Sequence, residues 1–179
     1  MPQSYMNKSL LQDFFIQFDM KDFQGKSMGY IEKTHQLDGA NGDNAPKNRG
    51  EMVVVKQIDK FRLVAETRGL MVATDLKSEN GGDNTAPEPP EILQVSLAQC
   101  IAMFFLFFCN SRNIDPTGFS VELEPEMAQA PKRFVRFDVN IILPPNFPYT
   151  ERAAALRYVS SCPVGKTLKM GAIVEITLD

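Results

Sequence analysis

The segment Pro89-Pro-Glu-Ile-Leu-Gln-Val-Ser-Leu-Ala-Gln-Cys100-Ile-Ala-Met-Phe-Phe-Leu-Phe-Phe-Cys109 decides the fold of this chain. Proline is favoured in the first turn of a helix, and residues 91–110 contain neither proline nor glycine. We therefore predict a helix over residues 90–110 that is polar only near its beginning and apolar on every side in its second half. A helix of that kind belongs in the centre of a fold or in an interface.

Short strands are expected on both sides of this helix. Before it, the runs 52–57, 61–67 and 70–74 are separated by turn residues and predict a three-stranded meander, followed by a proline-rich loop over residues 77–90. After it we predict strands over 119–124 and 134–143, a helix over 150–161 that Pro163 stops, and a last strand over 172–178. The order β-β-β-α-β-β-α-β indicates an α+β fold of mainly antiparallel strands with two helices.

The first 50 residues differ from the rest. Residues 8–20 carry apolar side chains at helical spacing and predict an amphipathic helix, and residues 27–37 favour a strand. Residues 38–50 are rich in glycine and asparagine and have the composition of a linker. We therefore predict an N-terminal arm over residues 1–50 and one folded domain over residues 51–179.

Charge and composition narrow the class of protein. A formal net charge of −3 argues against nucleic acid as the main partner, since phosphate binding needs a basic face. The start of the sequence lacks the charged head and apolar run of a secretory signal, and the apolar stretch Ile101–Cys109 is about half the length that spans a bilayer. Three cysteines without such a signal fit a reducing compartment. We expect a cytoplasmic protein with no membrane partner.

Metal and hydrolase chemistry are disfavoured by the residue inventory. The chain has a single histidine, His35, beside the predicted linker, and no two cysteines have the close spacing of a metal clip. A Ser-His-Asp triad also needs a positioned histidine. We expect no metal and no bound organic cofactor.

The cysteines offer one candidate pair. Cys100 and Cys109 are nine residues apart on one helix, which places them half a turn out of phase and roughly 13 Å apart along its axis. A disulfide needs α-carbons within about 7 Å, so these two cannot pair, and Cys109 is most simply a core residue. Cys162 is the remaining partner for Cys100. Either the two form a redox pair or they are two ordinary buried cysteines.

Residues 52–179 resemble the osmotically inducible protein C and organic hydroperoxide resistance (OsmC/Ohr) superfamily, in its OsmC-like branch. Three segments carry the resemblance. Residues 89–100 resemble the proline–glutamate helix start that leads to the family's first cysteine, residues 133–144 resemble its long central strand, and Cys162-Pro-Val-Gly-Lys-Thr-Leu168 resembles its second-cysteine signature.

The resemblance implies an intertwined homodimer with active sites at the subunit interface. It also implies a reactive cysteine at position 100 and a resolving cysteine at position 162. The corresponding activity is a thiol-dependent peroxidase of the oxidative stress response that reduces organic hydroperoxides. A thiolate attacks the terminal peroxide oxygen and becomes a sulfenic acid, which the second thiol converts to a disulfide. An external dithiol reductant then restores the thiols.

Ionisation of a cysteine among aliphatic side chains needs a nearby cation or dipole. The resemblance implies an arginine near the first hairpin, held by a glutamate before the helix. The cations in that region are Lys56, Lys60, Arg62 and Arg68. We select Arg62, and Glu91 ahead of Glu88.

The position of Glu91 on the predicted helix leaves two interpretations open. Nine residues make two and a half turns, so on a continuous helix Glu91 points away from Cys100. It can act only if the backbone leaves the helix near Pro90 or if it serves the other subunit. Otherwise it is a carboxylate favoured by the helix N-terminus.

A second class of function also fits the sequence. The apolar side chains beyond Cys100 either line a site for an organic peroxide or belong to the core: Met103, Phe104, Phe107 and Phe108. The same dimer would then be a binding module for a small hydrophobic ligand, or a redox sensor, without peroxidase turnover. In a third interpretation the aromatic arm makes the chain mainly an assembly protein.

Overall fold

Five strands and three α-helices form the part of the chain that the computed structural model describes, residues 50–178. In chain order they are β1 (Val54–Asp59), β2 (Arg62–Thr67), β3 (Leu70–Thr74), α1 (Pro89–Ser111), β4 (Ser120–Gln129), β5 (Lys132–Ile142), α2 (Arg152–Val159) and α3 (Pro163–Met170). The α+β class with antiparallel strands is confirmed. The predicted N-terminal helix (8–20) and strand (27–37), and the linker apart from Gly50, lie outside the described residues.

The predicted central helix is confirmed as α1, which is 23 residues long. Prolines occupy its first turn, and a capping box satisfies the hydrogen bonds of its N-terminus: the backbone N–H of Glu88 donates to the Glu91 carboxylate at 2.8 Å. By length and hydropathy α1 is able to cross a membrane. It packs against α2, α3 and β4 and contributes to the core.

The core is built on the second half of α1. Phe105, Phe108 and Cys109 are buried there against Phe147 from the segment after β5 and against α2. The rings of Phe105 and Phe147 stack with centroids 5.5 Å apart. Burial of one phenylalanine side chain stabilises a fold by about 1.5–3 kcal/mol, so this aromatic cluster fixes how α1 sits on its neighbours.

The strands form two antiparallel sheets. One has the order β1-β2-β3, as predicted, and the other is the β4-β5 hairpin. Both strands extend beyond their predicted limits toward the hairpin turn. β4 continues through Pro125 to Gln129, and β5 begins at Lys132. A proline is tolerated there because the hairpin has only two strands, and each leaves one edge without a ladder partner.

After β5 the predicted last strand and the predicted total of two helices are wrong, whereas a helix within residues 150–161 is confirmed. Residues 172–178 form no strand within the chain, and their side chains are largely exposed, Leu178 to 96%. A strand needs a neighbouring edge, and this segment pairs with none of the described strands. The predicted helix over 150–161 is shorter, a 3-10 turn (Tyr149–Glu151) followed by α2. Pro163 ends one helix but also begins another, α3, because proline suits the first helical position.

The loop between β3 and α1 is organised by one buried carboxylate. Asp75 is 2% exposed and accepts hydrogen bonds from the backbone N–H groups of Leu76 (2.8 Å), Asp83 (3.2 Å) and Thr85 (3.1 Å), and from the Thr85 hydroxyl (2.9 Å). The Thr85 backbone N–H contributes most to lowering the pKa of Asp75 below its ordinary value, against the opposing effect of burial. The loop therefore depends on an ionised Asp75.

This dependence predicts acid sensitivity. Because folding lowers the pKa of Asp75, its stabilising effect is complete above the ordinary aspartate pKa of about 4 and is lost as the pH falls below that value. Asp75→Asn should lower the melting temperature at pH 7 and flatten its decline in acid, as measured by circular dichroism at a series of pH values. Asp59→Asn, at an exposed carboxylate, is the control. Parallel pH profiles for wild type and Asp75→Asn would contradict this role.

Candidate active site

Cys162 lies at the N-terminus of α3 as its capping residue. Its side-chain sulfur accepts a hydrogen bond from the backbone N–H of Gly165 at 3.3 Å, and the side chain is only 1% exposed. Pro163 fixes the first helical position directly after it. A thiol in this place points at the unpaired N–H groups of a helix terminus, which favour negative charge.

Cys100 meets Cys162 where α1 packs on α3. Cys100 is close enough to Cys162 to influence its ionisation, and neither cysteine is in a disulfide. Cys100 is half-buried, whereas Cys162 lies behind it. Met103 and Phe107 share the helix face of Cys100 at spacings of three and seven residues, and both are about half exposed. The structure therefore brings the predicted pair together, with Cys100 as the more accessible sulfur.

The surroundings of Cys162 act on its ionisation in opposite directions. Burial has the largest effect and raises the pKa of the Cys162 thiol, and the hydrogen bond with Cys100 and the negative charge of Cys100 raise it further. The Gly165 N–H and the Lys169 ammonium lower the pKa of Cys162 but do not outweigh these effects. The net result is a pKa of the Cys162 thiol above its ordinary value, so burial disfavours its ionisation in the reduced protein.

Cys109 plays a different part. It is fully buried among the core aromatics, and burial raises the pKa of its thiol. Both observations agree with the prediction of a core residue.

Glu91 and Arg62 are not brought to the two thiols within one chain. Glu91 completes the capping box of α1 and lies 3.4 Å from the Lys77 ammonium. The hydrogen bond from the Glu88 N–H is the main cause that lowers the pKa of Glu91. Because α1 is continuous from Pro89, only the route through another subunit remains open for it. Arg62 begins β2 opposite Asp59 and is absent from the residues that line the groove beside Cys162.

A groove of about 1300 Å³ runs beside Cys162, between α1, β5, α2 and α3. Its walls are mainly apolar, and it has five cationic side chains and no carboxylate among the described residues that line it: Lys132, Arg133, Arg136, Arg152 and Lys169. Sequence reasoning missed Lys169. The sequence feature that could have identified Lys169 is its position seven residues after Cys162, which is two helical turns along the same face.

The aromatic side chains after Cys100 divide between two environments. Phe108 belongs to the core, as the simpler interpretation predicted, while Phe107 remains 51% exposed. Within residues 50–178, no group of three or more histidine, cysteine, aspartate or glutamate side chains is arranged to hold a metal ion.

The contact between the thiols predicts a change in Cys162 when Cys100 is replaced. Cys100→Ser removes a negative neighbour, so the pKa of Cys162 should fall relative to wild type. Titration of thiolate absorbance in the ultraviolet, in a Cys109→Ala background for both proteins, measures this shift. An unchanged titration curve for Cys162 would show that the two sulfurs do not interact in solution.

Comparison with known proteins agrees with this architecture. A family model described as OsmC-like protein matches residues 81–177. A search of curated proteins found no match. A solved structure from Psychrobacter arcticus 273-4, named for osmotic stress induction and a detoxification response, is 22% identical, with a TM-score of 0.60 over 68% of this chain and 90% of that one. An OsmC like protein from Mycoplasma pneumoniae is 12% identical, with a TM-score of 0.58 over 68% and 89% of the two chains.

The structural likenesses, at these low identities, establish the fold alone. The family model, by contrast, covers more than half of the chain, including α1 with Cys100 and the Cys162-Pro-Val-Gly segment. The chain therefore belongs to the OsmC-like family.

Proposed function

We propose that this protein is a thiol-dependent peroxidase that reduces organic hydroperoxides through Cys100 and Cys162. The observation that carries the proposal is the contact between a half-buried thiol on an apolar helix and a buried thiol at a helix N-terminus. Membership of the OsmC-like family supports a redox or peroxide-related role.

The asymmetry assigns a role to each sulfur. Cys100 can be reached from outside, so its thiolate attacks the terminal peroxide oxygen, the O–O bond breaks and an alcohol leaves. Cys162 is enclosed beside it and attacks the resulting sulfenic acid to form the disulfide. An external dithiol reductant restores both thiols. The exposed side chains of Met103 and Phe107 on the same face favour an apolar peroxide.

We also propose that the working form is a homodimer. Apolar side chains are exposed on the three-stranded sheet, on α1 and in the last described segment, more than a soluble monomer usually leaves open: Met52, Val55, Leu70, Phe107, Ile173 and Leu178 are examples. A second copy would cover these surfaces, and it offers the only route by which Glu91 and Arg62 reach the thiols. A cytoplasmic location remains a prediction.

The peroxidase proposal predicts a specific disulfide. One equivalent of cumene hydroperoxide should remove two of the three free thiols of the reduced protein, as a Cys100–Cys162 disulfide, and leave the enclosed Cys109 untouched. Thiol counting with mass mapping of the peptides measures this outcome. Three intact thiols would refute the peroxidase function.

The two cysteine variants separate the roles. Cys100→Ser should lose all turnover with a dithiol reductant, whereas Cys162→Ser should consume peroxide once and stop as a sulfenic acid or mixed disulfide. Cys109→Ala is the control and should keep turnover. Equal activity in all three variants would contradict the assignment.

The dimer proposal predicts a mass in solution of twice the 20.1 kDa chain, measured by light scattering during gel filtration. Phe107→Asp should shift the protein toward the single-chain mass, because a carboxylate would be buried at the apolar contact. A wild-type protein that elutes with the mass of one chain would contradict the proposal.

The groove supports a second candidate function, the binding of a small hydrophobic ligand without turnover. Its volume and its mainly apolar walls suit such a ligand. In that case the protein would bind an apolar fluorescent probe equally well in wild type and in both cysteine variants, and peroxide would leave its thiols reduced.

A further inference from the structure

Cys162 is buried, yet it must carry negative charge whenever it closes or leaves a disulfide. Building on the function proposed above, we propose that Gly165 and Lys169 are positioning residues that act through Cys162. They hold its sulfur where a thiolate is stabilised, and thereby set the rates at which the Cys100–Cys162 disulfide closes and reopens. They do not affect the attack of Cys100 on peroxide.

Gly165 is required by the space around the sulfur. A Cβ atom at this position would lie 2.9 Å from the Cys162 sulfur and 3.7 Å from the side chain of Leu97 on α1. A side-chain carbon therefore cannot be accommodated unless the sulfur moves away from the Gly165 N–H, which now donates to it at 3.3 Å. Glycine thus permits a close approach between the thiol and the N-terminal turn of α3.

Lys169 supplies a positive charge from the same helix. It stands two turns after Cys162 on the same face, lines the same groove, and lowers the pKa of Cys162 together with the Gly165 N–H. Burial and Cys100, on the facing helix α1, act in the opposite direction. These groups have the largest effects on the ionisation of Cys162.

Oxidation of Cys100 changes this balance. Once the Cys100 thiolate has become a neutral sulfenic acid, its negative charge no longer holds the proton on Cys162, while Gly165 and Lys169 still favour the thiolate. The Cys162 thiolate then attacks the Cys100 sulfur. The S–S bond forms, the S–O bond breaks, and the departing hydroxide takes up the released proton to give water. The resolving thiol is thus activated only after the first step.

Reopening uses the same groups in reverse. An external thiolate reaches the half-buried Cys100 sulfur more easily than Cys162, which is 1% exposed. As the new S–S bond forms on Cys100, the old bond breaks and its electron pair stays on Cys162, beside the Gly165 N–H and Lys169. A leaving thiolate that is stabilised in this way departs faster. The second thiol of a dithiol then releases Cys100.

Lys169→Gln tests the charge, with Lys166→Gln on the same helix as the matched control. Reduced protein receives one equivalent of cumene hydroperoxide, and the sulfenic acid is trapped with dimedone at successive times and quantified by mass spectrometry. Closure should be about two- to fivefold slower in Lys169→Gln at neutral pH, with its pH profile displaced to higher pH. Peroxide attack should be unchanged, and Lys166→Gln should match wild type.

Gly165→Ala tests the geometry without removing a charge. Alanine favours a helix, so the fold should persist, which circular dichroism verifies, while closure slows as in Lys169→Gln. Equal closure rates in all four proteins would overturn the inference and leave the peroxidase function standing. A wild type that forms neither sulfenic acid nor disulfide would overturn both.

A separate experiment identifies the sulfur that the external thiol attacks. The oxidised wild-type protein is treated with mercaptoethanol, quenched with acid and mapped by mass spectrometry. The mixed disulfide should be found on Cys100. An adduct on Cys162 would overturn the proposed direction of attack.

Discussion

The packing of α1 on α2 and α3 is the constraint on which the rest of this structure depends. The aromatic cluster around Phe105 and Phe147 covers one face of the second half of this 23-residue apolar helix. That cluster fixes the rotation of α1 about its own axis. The rotation in turn places Cys100 against the N-terminus of α3, with Met103 and Phe107 left on an open face. The position of the thiol pair is thus a consequence of core packing rather than of local sequence.

The site resolves two conflicting physical demands. A resolving thiol has to be enclosed, so that it meets the oxidised cysteine before any other thiol does, yet enclosure disfavours its ionisation. In this chain the sulfur of Cys162 keeps one backbone donor and one cation within reach. The pKa of Cys109 is raised by burial, with no backbone donor or cation that lowers it. In the function that we propose, this contrast between two enclosed cysteines separates the resolving thiol from one that only packs.

The sequence predicted what depends on local pattern. A stretch without proline or glycine up to Asn110, apolar in its second half, predicted α1, and turn residues at Asp59-Lys60 and Arg68-Gly69 predicted the meander. The pairing of Cys100 with Cys162 came from excluding Cys109 and from the family resemblance. The role of Lys169 did not come from the sequence, because a lysine two turns along a helix matters only once that helix is known to exist. Helix α3 was not predicted, because Pro163 was interpreted only as the end of a helix, and a proline can also begin the next one.

The last segment shows why a correct pattern can still give a wrong prediction. Residues 172–178 carry the apolar side chains of a strand, but a strand is a property of a pair, and no described strand of the chain pairs with them. The exposed side chains of Ile173, Ile176 and Leu178 therefore find no partner edge among residues 50–178. The three-stranded sheet, whose apolar side chains are likewise exposed, is in the same position. In the homodimer that we propose, a second copy would offer an edge to both, and it would give Glu91 and Arg62 of one chain a route to the other chain's thiols.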